Sequence, residues 1–182
     1  MTTGVRRYHS ALVVLHWLMA VLVSVALIFG STVLDHTPNT DPGKMDLVRG
    51  HMIVGVIIGV LLIVRWITRR VTAHPPAATT GIALADRLAP LAHKVLYLGM
   101  FAMGASGLTI AWVFDLPVVV FSGQGQLPAD FHASAARSVH GLVSKLLLLT
   151  VLAHVAAAIY HQWVHKDHLL TRMGLGTRRD TQ

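Results

Sequence analysis

Four histidines carry the chemistry open to this chain. His140 and His154 lie fourteen residues apart in one apolar stretch, and His16 and His51 each lie in another. On a helix, fourteen residues rise roughly 21 Å and end about 40° short of four full turns, so the His140 and His154 imidazoles face the same way at two depths. His161 follows seven residues later on nearly the same stripe. An imidazole can ligate a metal, move a proton or bond a neighbouring helix. Within a membrane such groups are costly and turn toward the protein interior or a ligand. A hydrogen bond to the next helix accounts for one histidine alone. A set matched in depth on three helices asks for more.

The elements that position them read as membrane spans. Hydrophobic residues make up 54% of the chain and charged ones 13%, about half the charged share of a soluble domain. The 182 residues are expected to form a single all-α domain over 1–182, with room for four spans of about 20 residues each. No Asp, Glu, Lys or Arg occurs from Tyr8 to Leu34, giving a first span at about 11–33. A cleavable leader is the competing reading, but its apolar core is only about 7–15 residues. The remaining spans are expected at about 48–68, 93–114 and 139–163. Asp35 to Arg49 reads as loop, and Pro75-Pro76 with Ala77 to Gly81 as linker. Ile82 to Lys94 reads as a polar helical lead-in that Pro90 is placed to bend. The connection from Asp115 to Arg137, with Pro117, Gly123, Gly125 and Pro128, is long enough to hold a short interfacial segment.

Composition also excludes. The absence of cysteine rules out disulfides, iron–sulfur clusters and thioether attachment of a cofactor. All eight acidic residues are aspartates, and none falls within a span, unlike the membrane-depth carboxylates of many ion transporters. Most of the 15 lysines and arginines fall on one side, the cytoplasmic one by the positive-inside rule, which puts both termini inside. The same bias accounts for the net charge of +7 without nucleic acid. Trp17, Trp66, Trp112 and Trp163 fall near helix ends, as interfacial tryptophans do.

Antiparallel packing of the spans then sorts the histidines. His16 and His154 share the cytoplasmic half, and His51 and His140 the outer half. Each pair joins two different helices, as a haem in a four-helix bundle requires. Iron held by two imidazoles has no open position and suits electron transfer. The expected architecture is a transmembrane four-helix bundle with two haems stacked across the membrane. Zinc would gather its ligands at one place, commonly with cysteine or carboxylate. Arg65 and Lys94 inside, with Arg49, Arg137 and Lys145 outside, are candidates to pair haem propionates or guide a substrate. His161, Lys166, His93 and Tyr97 form a candidate quinone site at the inner face, with imidazoles to bond carbonyls and supply protons.

The residues His16-Trp17, His51, His93 with Tyr97, His140 and His154, and the tail His161-Gln162-Trp163, Lys166-Asp167, Leu169-Leu170, Arg172-Met173, resemble the bacterial cytochrome b561 family over essentially the whole chain. The resemblance implies two haem b groups ligated by His16, His51, His140 and His154, in a multi-pass protein of the bacterial inner membrane. Members of this stand-alone length resemble superoxide oxidases. That likeness implies superoxide as donor on the outer side, ubiquinone as acceptor, and His161 in the quinone site. Arg137, three residues before His140, also looks family-like. Two alternatives stand beside this reading. One is a cytochrome b anchor and electron-relay subunit of a larger respiratory dehydrogenase or hydrogenase; the other is a histidine-based metal or proton transporter, which would lack haem absorbance.

Overall fold

In the computed structural model, which describes residues 7–76, 83–166 and 169–175 except the side chains of residues 83–85 and 88, the charge-free N-terminal run opens as helix α1, Ser10–Phe29. The His9 imidazole accepts from the Ala11 N–H at its start. The helix widens into one π-helical turn, Gly30–Leu34. Helix α2 is Lys44–Val71 and α3 is Ala83–Val113. The short α4, Leu116–Ser122, and a 3₁₀ turn, Phe131–Ala133, fill the long connection. Helix α5, Ala135–Tyr160, ends in a second π-helical turn, His161–His165, before the one-turn α6, Leu169–Arg172. No strand occurs among the described residues. Four segments, Ser10–Leu34, Lys44–Val71, Ala89–Val113 and Ala135–His165, are long and apolar enough to cross a membrane.

The spans stand where the sequence puts them, but three boundaries move. The loop expected to reach Arg49 ends at Gly43, and Lys44 opens α2. A lysine in a first turn opposes the helix dipole. Here it is 4% exposed, and its ammonium donates to the carbonyls of Leu34 and Thr37. The charge is thus spent on the C-terminal end of the preceding span, while Asp46 suits the dipole of its own helix. The polar lead-in before His93 is not a separate element. α3 runs through Pro90 as one helix, although proline removes one ladder bond. α5 starts at Ala135, four residues before the expected Val139, because the Ser134 side chain caps it by accepting from the Ala136 N–H. The linker at 77–81, Arg6, Asp167, Arg178 and Arg179 lie outside the described residues.

Lys44→Ala is expected to loosen the hinge between α1 and α2. Hydrogen bonds from a charged donor contribute roughly 1.5–3 kcal/mol each, so the melting temperature in detergent should fall by several degrees. An unchanged melting temperature would contradict the capping role.

Packing divides the bundle into two tight pairs. α1 lies along α2 and α3 along α5, α2 also meets α3, and α1 and α5 touch at few points. The end of the bundle where α2 begins has a core of Val48, Ile110, Ala111, Leu116 and Val120, in which α4 folds back over α2 and α3. Val23, Leu27 and Leu147 join α1 to α5 at mid-depth. At the opposite end, the Trp17 indole N–H donates to the Met173 carbonyl at 2.9 Å and the Arg172 guanidinium to the Pro76 carbonyl at 3.0 Å. These bonds pin the segment around α6 under the bundle. Much of the remaining helix surface is apolar and exposed, with Leu98 at 70% and Trp112 at 80%, the surface a bilayer would cover.

Candidate functional site

Helix α5 lies close to α3 and meets α1 at few points, and its two histidines reach across the bundle to rings on α1 and α2 at two depths. The His16 and His154 ring centres are 6.2 Å apart with planes at 76°. The His51 and His140 ring centres, on α2 and α5, are also 6.2 Å apart, with planes at 78°. A metal atom between two imidazoles needs two bonds of about 2.0–2.1 Å plus roughly 1.1 Å from each nitrogen to its ring centre, about 6.3 Å in all. Both gaps are therefore of a width at which two imidazoles could hold one iron, a donor set that would suit a haem. Among the described residues no three His, Cys, Asp or Glu side chains converge on a metal position. The arrangement consists of pairs, not cages.

Small residues back the outer pair. A methyl group at Gly30, inside the π-helical turn, would sit 3.6 Å from His51 Cε1, and one at Gly107 of α3 would sit 3.4 Å from His140 Cε1. π-helical turns recur at functional positions in helices, and this one brings the Gly30 backbone against the His51 ring. Beside Gly107 on the same helix, the Ser106 hydroxyl lies 2.9 Å from His140 Nδ1.

The candidate cations divide between the two depths. Arg137 is near enough for its charge to act on His51 and His140, and its guanidinium also pairs with Asp35. Arg49 donates twice to the Val120 carbonyl, at 3.0 and 2.8 Å, and pairs with Asp46, which ties α2 to α4. Arg65 acts on His16 and His154 and donates to the Leu12 carbonyl at 2.8 Å. Lys145 and Lys94 are exposed. Arg70 stacks over Trp66, 4.8 Å from the ring centre.

The quinone candidates fall on two elements. His93 comes to the inner pair itself, its ring centre 5.5 Å from that of His154, with Nδ1 2.9 Å from the Ala89 carbonyl. One turn deeper, the Tyr97 hydroxyl is buried without a hydrogen-bond partner among the described residues. The second element is the π-helical turn, where the His161 and His165 ring centres are 5.8 Å apart. Lys166 closes that turn in the left-handed region, φ 57°.

Sequence reasoning did not single out Ser106, Lys44 or Gln162. Gln162 Oε1, beside His161, is a second buried polar atom without a partner among the described residues. A hydroxyl amid an apolar span was the available signal for Ser106. For Lys44 there was none, because its partners are main-chain carbonyls.

Comparison with known proteins places this arrangement. The family model described as Prokaryotic cytochrome b561 matches residues 7–176. The chain is 32% identical to Cytochrome b562 of Cereibacter sphaeroides, over 91% of this chain and 94% of that protein. It is 28% identical to Cytochrome b561 homolog 2 of Escherichia coli, over 94% and 93%. It is 25% identical to the Probable superoxide oxidase CybB of Yersinia pestis, over 92% and 96%. A bundle of four membrane helices, with imidazoles paired across it and a family match over nearly its full length, makes the chain a member of the prokaryotic cytochrome b561 family, membrane proteins that transfer electrons through b-type haem.

Proposed function

We propose that this chain oxidises superoxide at the outer membrane face and reduces ubiquinone at the cytoplasmic face. In this reading one haem b is held by His51 and His140 and a second by His16 and His154. The observation that carries the proposal is the recurrence of one ring separation, 6.2 Å, at two depths roughly 21 Å apart along α5. The likeness to a protein named as a probable superoxide oxidase supports the choice of donor.

Haem, held by these histidines, would supply a one-electron iron couple at each depth. The residues do the rest. The paired imidazoles hold fixed positions on α1, α2 and α5, so oxidation and reduction demand little rearrangement. At the outer face the aspartates Asp35 and Asp46 are each engaged by an arginine, Arg137 and Arg49. This pairing relieves the repulsion that unpaired carboxylates would exert on an anionic donor. Two superoxide anions each lose one electron to become dioxygen, while one ubiquinone takes two electrons and two protons to become ubiquinol. Those protons come from the cytoplasmic side, where His93, Tyr97, His161 and Lys166 offer donors to the quinone oxygens. Both termini are cytoplasmic in this orientation.

Stopped-flow mixing of the purified haem-loaded protein with superoxide tests the reading. Reduction should outpace spontaneous dismutation, and added ubiquinone should reoxidise the protein. Reduction no faster than dismutation would overturn the choice of donor and favour a relay subunit serving a partner dehydrogenase.

A further inference from the structure

The two histidine pairs have the same spacing but not the same surroundings. Among the described residues, His140 is the one of the four whose imidazole meets a hydroxyl. Ser106 is 7% exposed and stands on α3, one residue before the glycine that the His140 ring rests against. Its Oγ lies 2.9 Å from His140 Nδ1 and donates to the Met103 carbonyl at 3.0 Å. A serine hydroxyl has one proton. With that proton directed at Met103, the contact to His140 requires Nδ1 to carry the hydrogen and Oγ to accept it. A neutral imidazole with its proton on Nδ1 has its lone pair on Nε2. The nitrogen left for a metal is then the one on the far side of the ring from α3.

We propose that Ser106 is a positioning residue for the outer metal site: its hydroxyl fixes the His140 tautomer, presents Nε2 to the iron and makes the outer ligand more basic than the inner ones. The inference rests on the haem reading above and concerns one residue of this chain. A partner that accepts the second N–H of a ligating histidine orients the ring and strengthens it as a donor. The bond from Ser106 onward to Met103 polarises the hydroxyl and makes its oxygen a better acceptor. His154 has a different neighbour, the ring of His93. A more basic ligand favours the ferric state, so this asymmetry lowers the potential of the outer site.

The test uses the full-length haem-loaded protein with Ser106→Ala and Ser106→Thr, and follows the redox titration of each haem and haem transfer to an apoglobin scavenger. Single-haem chains made by His140→Ala and His154→Ala identify the two signals. Ser106→Ala should raise the outer haem's midpoint potential and weaken its retention about 10- to 100-fold, with the inner haem unchanged. Ser106→Thr, which keeps the hydroxyl, should restore native values. An outer haem unchanged in Ser106→Ala would overturn the proposal, since the ring would then be set without the hydroxyl. Equal changes at both haems, or equal loss of the outer haem in the alanine and threonine chains, would overturn it in favour of simple packing. A native chain without haem would refute the parent reading instead.

Discussion

On the proposed reading of two haem sites, replacing His140 with alanine is expected to leave one haem b per chain in place of two. His140 and His51 face each other across α5 and α2 at 6.2 Å, and the donor atoms of one site are lost when either ring is removed. The inner pair is separate. It stands roughly 21 Å away along α5 and draws its second ring from α1. Haem content per chain, measured by pyridine haemochrome against protein mass, should therefore halve and not vanish. With superoxide as the proposed donor at this site, reduction by superoxide should fall at least a hundredfold, while dithionite should still reduce the remaining haem. Retention of two haems would refute the pairing of His140 with His51. Loss of both would mean that the sites depend on each other.

Replacing His154 is expected to give the complementary defect, and the contrast separates a transmembrane path from two independent cofactors. In His154→Ala the outer pair keeps its imidazoles, its Ser106 bond and the nearby Arg137 charge. Superoxide should still reduce that site at close to the native rate. What fails is the exit. With the inner site gone, the distance from the outer site to the cytoplasmic face is too long for useful electron transfer, and ubiquinone should reoxidise the protein at less than about 1% of the native rate, a loss of about 2.7 kcal/mol in transition-state terms. His93 stays on α3, next to the position His154 vacates. Near-native reoxidation in this chain would contradict the inner histidine pair as the exit site.

Much of this was legible in the sequence, for physical reasons that differ from residue to residue. The spans were legible because charge within lipid is costly, so a charge-free run such as Tyr8 to Leu34 is long and apolar enough to cross. The meeting of His16 with His154, and of His51 with His140, follows from helix rise and antiparallel packing; that iron lies between them is the proposal. The start of α2 was hidden because Lys44 looks like loop chemistry until its partners are seen. Those partners are the carbonyls of Leu34 and Thr37, ten and seven residues earlier in the chain. The π-helical turns at Gly30 and His161 leave no sequence trace, since the extra residue per turn depends on what packs against it. His93 was assigned to the inner face by depth alone. Its 5.5 Å approach to His154 depends on how closely α3 lies along α5, which periodicity cannot supply. Ser106 was passed over because a lone hydroxyl in a span usually bonds its own helix, as its contact to Met103 does; the contact to His140 is tertiary.

Electron transfer across the membrane as proposed requires two iron sites in one chain. Haem and protein should be quantified on the purified native protein, together with the oxidised and dithionite-reduced spectra. Two b-type haems per chain, both low-spin as bis-imidazole ligation requires, is the predicted result. A single haem, a high-spin site, or no haem absorbance at all would contradict it.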